Sequence, residues 1–381
     1  MTEQPYDESI KTHPGLKGVY LDDTKISYID GENGRLYYRG YSIEHLVENS
    51  TFEEVIYLLI YGHLPSRYEL FTLRNTLVHE REIPDRILMV LKSFPRETTR
   101  IELLRTAISA LSLFDVEDYD YSKEANIRKG IRIIAKIPTI LSYSHRIKSN
   151  LPIIEPHDNL SHAGNFYYMM TGNEPDEAIE RAFDKALILQ SEHSSNASSF
   201  AARVTVSTLS DIYSAIVSAI GTLRGPLHGG ANERAIMMLK EIGEPERAEE
   251  YIREKLDRKE RIMGFGHRVY KVMDPRAKIY KELSEEWCER EGNQHLLEIS
   301  RIIEDMMMRE KGLYPNVDFY SASFLYSVGV PILLYTPLFA ASRAAGWVAH
   351  TIEQLENNKL IRPLMRYRGD IDRKYLPLDN R

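Results

Sequence analysis

Five short segments carry side chains that could do acid–base or anion-binding chemistry. The first is Gly225-Pro226-Leu227-His228-Gly229-Gly230-Ala231-Asn232, a Gly/Pro-rich turn between two helical stretches. Glycines let backbone approach a ligand closely, and a His in such a turn can present an N–H to a substrate oxygen. The second, Gly264-Phe265-Gly266-His267-Arg268-Val269-Tyr270, again places a His just after glycines, and Asp274-Pro275-Arg276 follows. Asp274 reads as an N-cap and Pro275 as a first helical residue, which puts Arg276 in a first turn whose dipole favours an anion. In the third, Pro315-Asn316-Val317-Asp318, the acid is either a helix cap or a carboxylate general base. The fourth, Glu192-His193-Ser194-Ser195-Asn196-Ala197-Ser198, clusters short polar side chains inside helical text. The fifth pairs Ser342-Arg343-Ala344-Ala345-Gly346 with Arg362-Pro363. Arg343 interrupts an apolar helix, and a buried Arg must meet a carboxylate of the protein or of a ligand to offset its desolvation.

Each segment alone has an ordinary structural reading: a turn His bonded to backbone, a capping Asp, a polar core patch. Together they suggest an enzyme that handles a di- or tricarboxylate by acid–base chemistry without a metal. No His-x-x-x-His or His-Glu-x-x-His places two ligands on one helical face, and Cys288 is the lone cysteine, which excludes an internal disulfide and a thiolate zinc site. No Gly-x-Gly-x-x-Gly follows a strand, so a Rossmann fingerprint is absent. His145, His162 and His350 lie isolated in helical text and read as structural.

The elements that must position these residues are mostly helices. Residues 24–38 carry the clear β signal: Ile26 and Tyr28 alternate with polar residues, Asp30 to Gly34 make a turn, and Leu36-Tyr37-Tyr38 return as a hairpin. Helical patterning begins near Ser42. Both Ser50-x-x-Glu53 and Thr51-x-x-Glu54 offer a capping box, Ser66-x-x-Glu69 another, Pro84 a first helical residue, and Gly312 a C-terminal stop. Stripes such as Ile101, Leu104, Ile108 and Leu111 read as core packing. The charge runs at 244–261 and 281–291 read as solvated helix faces.

The chain has 381 residues, enough for two or three domains at about 150 residues each. With 43% apolar and 28% charged residues it is neither disordered nor fibrous. Asp plus Glu number 56 against 49 Lys plus Arg, a balance of −7 that argues against nucleic acid and leaves anion binding to a local Arg/His cluster. The most apolar stretch, Val328 to Ala341, contains Pro331 and Pro337 and falls short of the ~18–20 residues of a membrane span. Met1 to Pro5 is polar and acidic, unlike a secretory or transit sequence, so a cytoplasmic protein is expected.

The ordered set Glu-His-x-x-Asn-Ala-Ser, Gly-Pro-Leu-His-Gly-Gly-Ala-Asn, Gly-Phe-Gly-His-Arg-Val-Tyr-Lys, Asp-Pro-Arg-Ala, Pro-Asn-Val-Asp, Ser-Arg-Ala-Ala-Gly and Arg-Pro resembles the citrate synthase family. The resemblance covers nearly the whole chain, including Tyr38-Arg39-Gly40-Tyr41 and Asn165 to Gly172. Its length is similar to the short archaeal and Gram-positive type, which also contains 2-methylcitrate synthases.

The resemblance implies a mainly α, two-domain helical fold with the small N-terminal hairpin. Residues 1–224 and 322–381 would form a large domain and 225–321 a small domain that closes over substrate. It implies a homodimer that condenses acetyl-CoA with oxaloacetate through citryl-CoA, with no cofactor and no metal. Asp318 would take the methyl proton of acetyl-CoA, His228 would stabilise the enolate, and His267 would polarise the ketone of oxaloacetate. His193, Arg276, Arg343 and Arg362 would bind oxaloacetate, with Arg362 supplied by the partner subunit. Lys271 and Arg268 would face the CoA phosphates. The context Glu192-His193-Ser194-Ser195 departs from the commoner family pattern and is expected to affect packing beside oxaloacetate. The partner surface is expected to include the apolar helices around Ile212, Ile216 and Ile220. Alternatives are a 2-methylcitrate synthase using propionyl-CoA, a citryl-CoA lyase, and a non-catalytic binding protein. Because the site gathers Arg and His, charge repulsion is expected to hold the empty cleft open.

Overall fold

The computed structural model describes residues 9–381, so the reading of Met1 to Pro5 lies outside the described residues. A hairpin of β1 (Ser27–Asp30) and β2 (Arg35–Tyr38) is extended by β3 (Tyr41–Ser42), all antiparallel, with Ser27 opposite Tyr38. Ile26 is buried just ahead of β1, but Tyr28 is 62% exposed and stacks on Tyr37, while Ser27 turns inward. The physical reason is a hydrogen bond: Ser27 Oγ donates to the buried Glu192 carboxylate at 2.9 Å, and strand alternation then sends Tyr28 outward.

Sixteen α-helices follow among the described residues. They are α1 (Ile43–Asn49), α2 (Phe52–Tyr61), α3 (Arg67–His79), α4 (Asp85–Ser93), α5 (Arg100–Leu111), α6 (Lys123–Lys148), α7 (His162–Thr171) and α8 (Glu177–Gln190). Then come α9 (Ala197–Ser207), α10 (Ile212–Leu223), α11 (Ala231–Ile242), α12 (Ala248–Asp257), α13 (Pro275–Arg290), α14 (Gln294–Lys311), α15 (Val317–Ser327) and α16 (Tyr335–Glu356). The mainly α fold with a small hairpin is as the sequence implies.

Local signals set many boundaries. Thr51 and Glu54 form the capping box of α2, and Ser66 with Glu69 that of α3. The competing Ser50/Glu53 pair is used otherwise: Glu53 turns inward and accepts the His162 N–H, and so supports the start of α7. Pro84 is the N-cap of α4 rather than its first residue. Gly312 ends α14 with φ +62°, a conformation that favours glycine.

The helix α16 is the axis of the core and packs against α2, α5, α6, α8, α9 and α10. The apolar stretch that looked short in sequence joins the residues after Arg343 to make one long helix. Residues Ile332–Glu356 are long and apolar enough to cross a membrane by length and composition, yet 83% of the 18-residue apolar stretch within them is buried inside the protein. A helix that is apolar on all sides must be surrounded, and here other helices surround it. A second group, α11 to α15, packs largely on itself, with α13 also touching α1 and α8.

Ile212, Ile216 and Ile220 are at most 1% exposed within this single chain. They lie on α10, which packs against α5, α9 and α16, so these three side chains do not themselves face a partner, and any partner surface on the helices around them is formed by other side chains. Their apolar stripe serves the chain's own core.

Candidate active site

His228 sits in a turn after α10. His228 and Gly229 both bond back to Gly225 O, and Arg234 on α11 clasps the turn by donating to Gly230 O (3.0 Å) and Pro226 O (2.9 Å). A Cβ at Gly229 would lie 2.1 Å from Leu223 O, so only glycine allows this close approach. The His228 ring reaches the start of α9, where Nε2 is 2.9 Å from Ser198 Oγ and 3.3 Å from the Ser198 N–H. Trp347 Nε1 donates to the same hydroxyl at 3.0 Å. Asn196 Oδ1 receives the Ser198 and Ser199 N–H groups, each at 3.1 Å, and caps α9. Burial, aided by Arg343, pushes the His228 pKa down to about 4.

His267 follows the Gly264–Gly266 loop. Gly264 has φ +84° and packs on Phe319, where an added Cβ would stand 2.7 Å from the Phe319 Cβ. Asn316 N donates to Gly264 O at 2.8 Å and Asn316 Nδ2 to Gly266 O at 3.1 Å, so the His267 loop and the start of α15 form one unit. The backbone N–H groups of Val269 and Tyr270 both donate to His267 Nδ1, at 3.0 and 3.1 Å. Nδ1 is therefore unprotonated, and the neutral ring carries its proton on Nε2. Burial, then Arg276, lowers its pKa to about 4.

His193 lies buried between α8 and α9. Its ring centroid is 5.3 Å from that of His267, and its Nε2 is 3.3 Å from the Tyr270 hydroxyl. Burial, with Arg276, His267 and Arg343 around it, holds it well below the usual histidine range. All three histidines are neutral near pH 7.

Asp274 caps α13, as its sequence context implies, and pairs with Arg276 at the same time. Its carboxylate accepts the Arg276 N–H (2.9 Å), Nε (3.0 Å) and Nη2 (2.7 Å). Burial opposes charge on Arg276, which is 2% exposed, but the bidentate Asp274 overcomes it. Arg343 is also 2% exposed. Its Nε donates to Gln190 O at 2.7 Å and its guanidinium lies 4.6 Å over the Phe339 ring. No ion pair closes on it among the described residues; burial pulls its pKa down to about 10 while Glu192 opposes that through space.

Asp318 is the second residue of α15 and does not cap it: the cap is Asn316, whose side chain accepts the Asp318 N–H at 3.0 Å. The carboxylate is left free of the helix end. Burial raises its pKa to about 6, against the pull of Arg276.

The fold thus gathers His193, His228, His267, Arg276, Asp318 and Arg343 from segments that run from residue 193 to residue 343 of the chain. It does not bring the other three predicted residues there. Lys271 is exposed and pairs with Glu32, and Arg268 donates to Gly15 O at 3.1 Å. Arg362 is exposed in the segment after α16, whose nearest anchor is the Ile361 N–H on Ser207 Oγ at 3.1 Å.

Ligand atoms of His193, His267 and Asp274 lie within 4.8 Å of one another, close enough for a metal. Both Asp274 oxygens are already taken by Arg276, and two buried guanidiniums flank the cluster, an environment that suits an anion better than a cation. The expected repulsion among cations is also corrected. The histidines are neutral, Asp274 balances Arg276, and Glu192 acts on Arg343, so the empty site is not a bare positive cluster.

His350 is not the isolated residue that its sequence context suggested. It joins Arg203 to Glu192, all three buried. The signal that could have found it is the i, i+3, i+7 spacing of Arg343, Gly346 and His350 on one helix.

A family model described as "Citrate synthase, C-terminal domain" matches residues 15–364. The chain is 47% identical over 373 residues to a citrate synthase of Haloferax volcanii, covering 96% of this chain and 98% of that one. It is 42% identical over 357 residues to a citrate/2-methylcitrate synthase of Bacillus subtilis, covering 93% and 96% of the two chains. It also superimposes on citrate synthase of Thermoplasma acidophilum, solved as a ternary complex with carboxymethyl coenzyme A and oxaloacetate, with TM-score 0.93, 36% identity, and coverage of 97% and 99%. A buried Arg pair, three neutral histidines and a raised carboxylate on this fold agree with those likenesses, and the chain belongs to the citrate synthase family.

Proposed function

We propose that the chain condenses the methyl carbon of acetyl-CoA with the ketone carbon of oxaloacetate and hydrolyses the resulting citryl-CoA to citrate and CoA, as an acyltransferase that turns an acyl group into an alkyl one. The observation that carries this reading is the meeting of neutral His267 and His228 with Asp318, whose pKa is raised to about 6, beside two buried arginines.

The chemistry follows from these environments. At a pKa of about 6 Asp318 is roughly nine-tenths ionised at pH 7, yet it is a stronger base than an exposed carboxylate. It takes a methyl proton from the thioester. His228 supplies a neutral N–H to the enolate oxygen: Nε2 accepts the Ser198 backbone N–H, so the ring proton lies on Nδ1. His267 aims its Nε2–H at the ketone oxygen and holds the alkoxide that forms when the new carbon–carbon bond closes. Arg276 and Arg343 take the two carboxylates of oxaloacetate, and His193 adds a hydrogen bond. Water then cleaves the thioester.

The rest of the reading is likewise our own. Residues 225–321 move as a small domain against 1–224 and 322–381, and closure brings Lys271 and Arg268 to the CoA phosphates. The protein works as a cytoplasmic homodimer in which Arg362, exposed in its own chain, completes the partner's site. No cofactor or metal is required. Release of free CoA thiol, followed with and without oxaloacetate, tests the reaction. Oxaloacetate-dependent release from acetyl-CoA is expected; its absence sinks the reading. Propionyl-CoA forms the second arm, because one methylene changes pocket affinity by only ~1–3 kcal/mol.

A further inference from the structure

Behind the proposed oxaloacetate pocket lies a buried polar chain for which the condensation has no direct use. Arg343, Gly346 and His350 share one face of α16, and all three meet the segment that joins α8 to α9. Arg343 Nε donates to Gln190 O at 2.7 Å, the Gly346 N–H to Ser191 O at 3.2 Å, and His350 Nε2 to Glu192 Oε1 at 3.0 Å. The docking needs glycine at 346: a Cβ there would stand 2.3 Å from Glu192 Oε2 and 2.5 Å from Ser191 O.

Glu192 is fully buried and pinned from the other side by the hairpin. Ser27 Oγ donates to its Oε1 at 2.9 Å, and the Tyr38 hydroxyl donates to its carbonyl at 2.8 Å. Ser27 Oγ also accepts the Ser194 N–H at 3.1 Å. Ser194 has φ +51°, a left-handed backbone that a serine holds only when its surroundings over-determine it. His193 stands between these two pinned residues.

Donor counting places the protons. Arg203 Nε can only donate, and it meets His350 Nδ1 at 3.0 Å. The His350 ring therefore accepts at Nδ1 and donates through Nε2 to the carboxylate. Arg203 is itself held by Gln354 Oε1 at 3.2 Å and by Glu353. The order Arg203, His350, Glu192 orients a carboxylate by relayed hydrogen bonds.

We propose that Arg203, His350 and Glu192 are positioning residues that clamp Gln190–Glu192 onto α16, so that His193 and Arg343 meet the substrate as one preformed pair. The proposal rests on the oxaloacetate reading above. Its benefit is preorganisation: the two substrate-facing groups are ordered before the ligand arrives, which lowers the entropy lost on binding.

Steady-state kinetics of the full chain with His350→Ala and His350→Gln test it. A glutamine can accept from Arg203 through its oxygen and donate to Glu192 through its amide. His350→Ala is expected to raise the oxaloacetate KM about tenfold or more, with kcat and the acetyl-CoA KM within about threefold of the parent. His350→Gln is expected to recover most of that rise. A loss of kcat and Tm with an unmoved oxaloacetate KM marks a merely structural role and overturns the proposal, as does equal impairment by Ala and Gln. Should His350→Ala fail to fold, Ser27→Ala removes one donor to Glu192 at the hairpin. An oxaloacetate KM raised about threefold or more is then expected, and an unchanged one overturns the proposal. If the parent protein shows no oxaloacetate-dependent thiol release, the functional reading fails and takes this proposal with it, a result distinct from an active parent with indifferent variants.

Discussion

Asp274 accepts the backbone N–H of Arg276 and two nitrogens of its guanidinium, so one carboxylate both caps α13 and balances a buried charge. The local motif Asp-Pro-Arg therefore presents Arg276 ready-made. Asp274→Asn keeps an acceptor for the cap but leaves Arg276 uncompensated, and removing one partner of a buried pair costs on the order of 3–5 kcal/mol. Denaturant melts should show that loss. Saturating oxaloacetate should restore more stability to the variant than it adds to the parent, because a substrate carboxylate replaces the missing charge. Equal ligand-induced shifts in the two proteins would contradict this placement of Arg276.

Asp318→Asn should abolish condensation while oxaloacetate still binds, since only the base is removed. Turnover within about tenfold of the parent, a barrier change of only ~1.4 kcal/mol, would take Asp318 out of that role. The parent's rate should fall as pH drops below about 6, where the carboxylate protonates. The sign for stability is the reverse. A carboxylate whose pKa is raised in the folded state weakens the fold as pH rises from its unfolded value to the folded one. Asp318→Asn should therefore melt higher than the parent at pH 7, an exchange of activity for stability.

Acidification should destabilise the protein between about pH 6.5 and 4. His228, His267, His145 and His162 all have pKa values near 4 in the fold, chiefly through burial, and His193 is depressed as well. In that window the unfolded chain takes up protons that the fold excludes, so stability drops as pH falls. Asp318 and Asp184, raised by burial to about 6 and about 7, act in the opposite direction but are fewer. Chemical denaturation at several pH values, with a flat profile over this range, would refute the balance.

Arg362 is exposed in the segment beyond α16. In the proposed dimer, mixing inactive Arg362→Ala with inactive His228→Ala protein should regenerate some intact sites in heterodimers. Complementation assays that recover no activity after confirmed subunit exchange would rule out a shared site.

Much of the site's local architecture is legible in the sequence because it is encoded by near neighbours. Asp274 caps the helix that starts one residue later, Thr51 and Glu54 close a box over three residues, and Gly312 stops α14 where a left-handed φ is needed. The glycines around His228 and His267 signal close backbone approach for the same reason. What only the tertiary structure decided depends on which faces dock. Ile212, Ile216 and Ile220 form an apolar stripe in either case, and the stripe cannot say whether it meets its own chain or another; the fold buries it against α5, α9 and α16. Asp318 could cap or catalyse until Asn316 was seen to take the cap. His350 is 158 residues from Glu192, and Trp347 is 149 from Ser198. No local rule links such residues, because their hydrogen bonds exist only once α16 is enclosed by its neighbours and desolvation makes every buried donor find an acceptor.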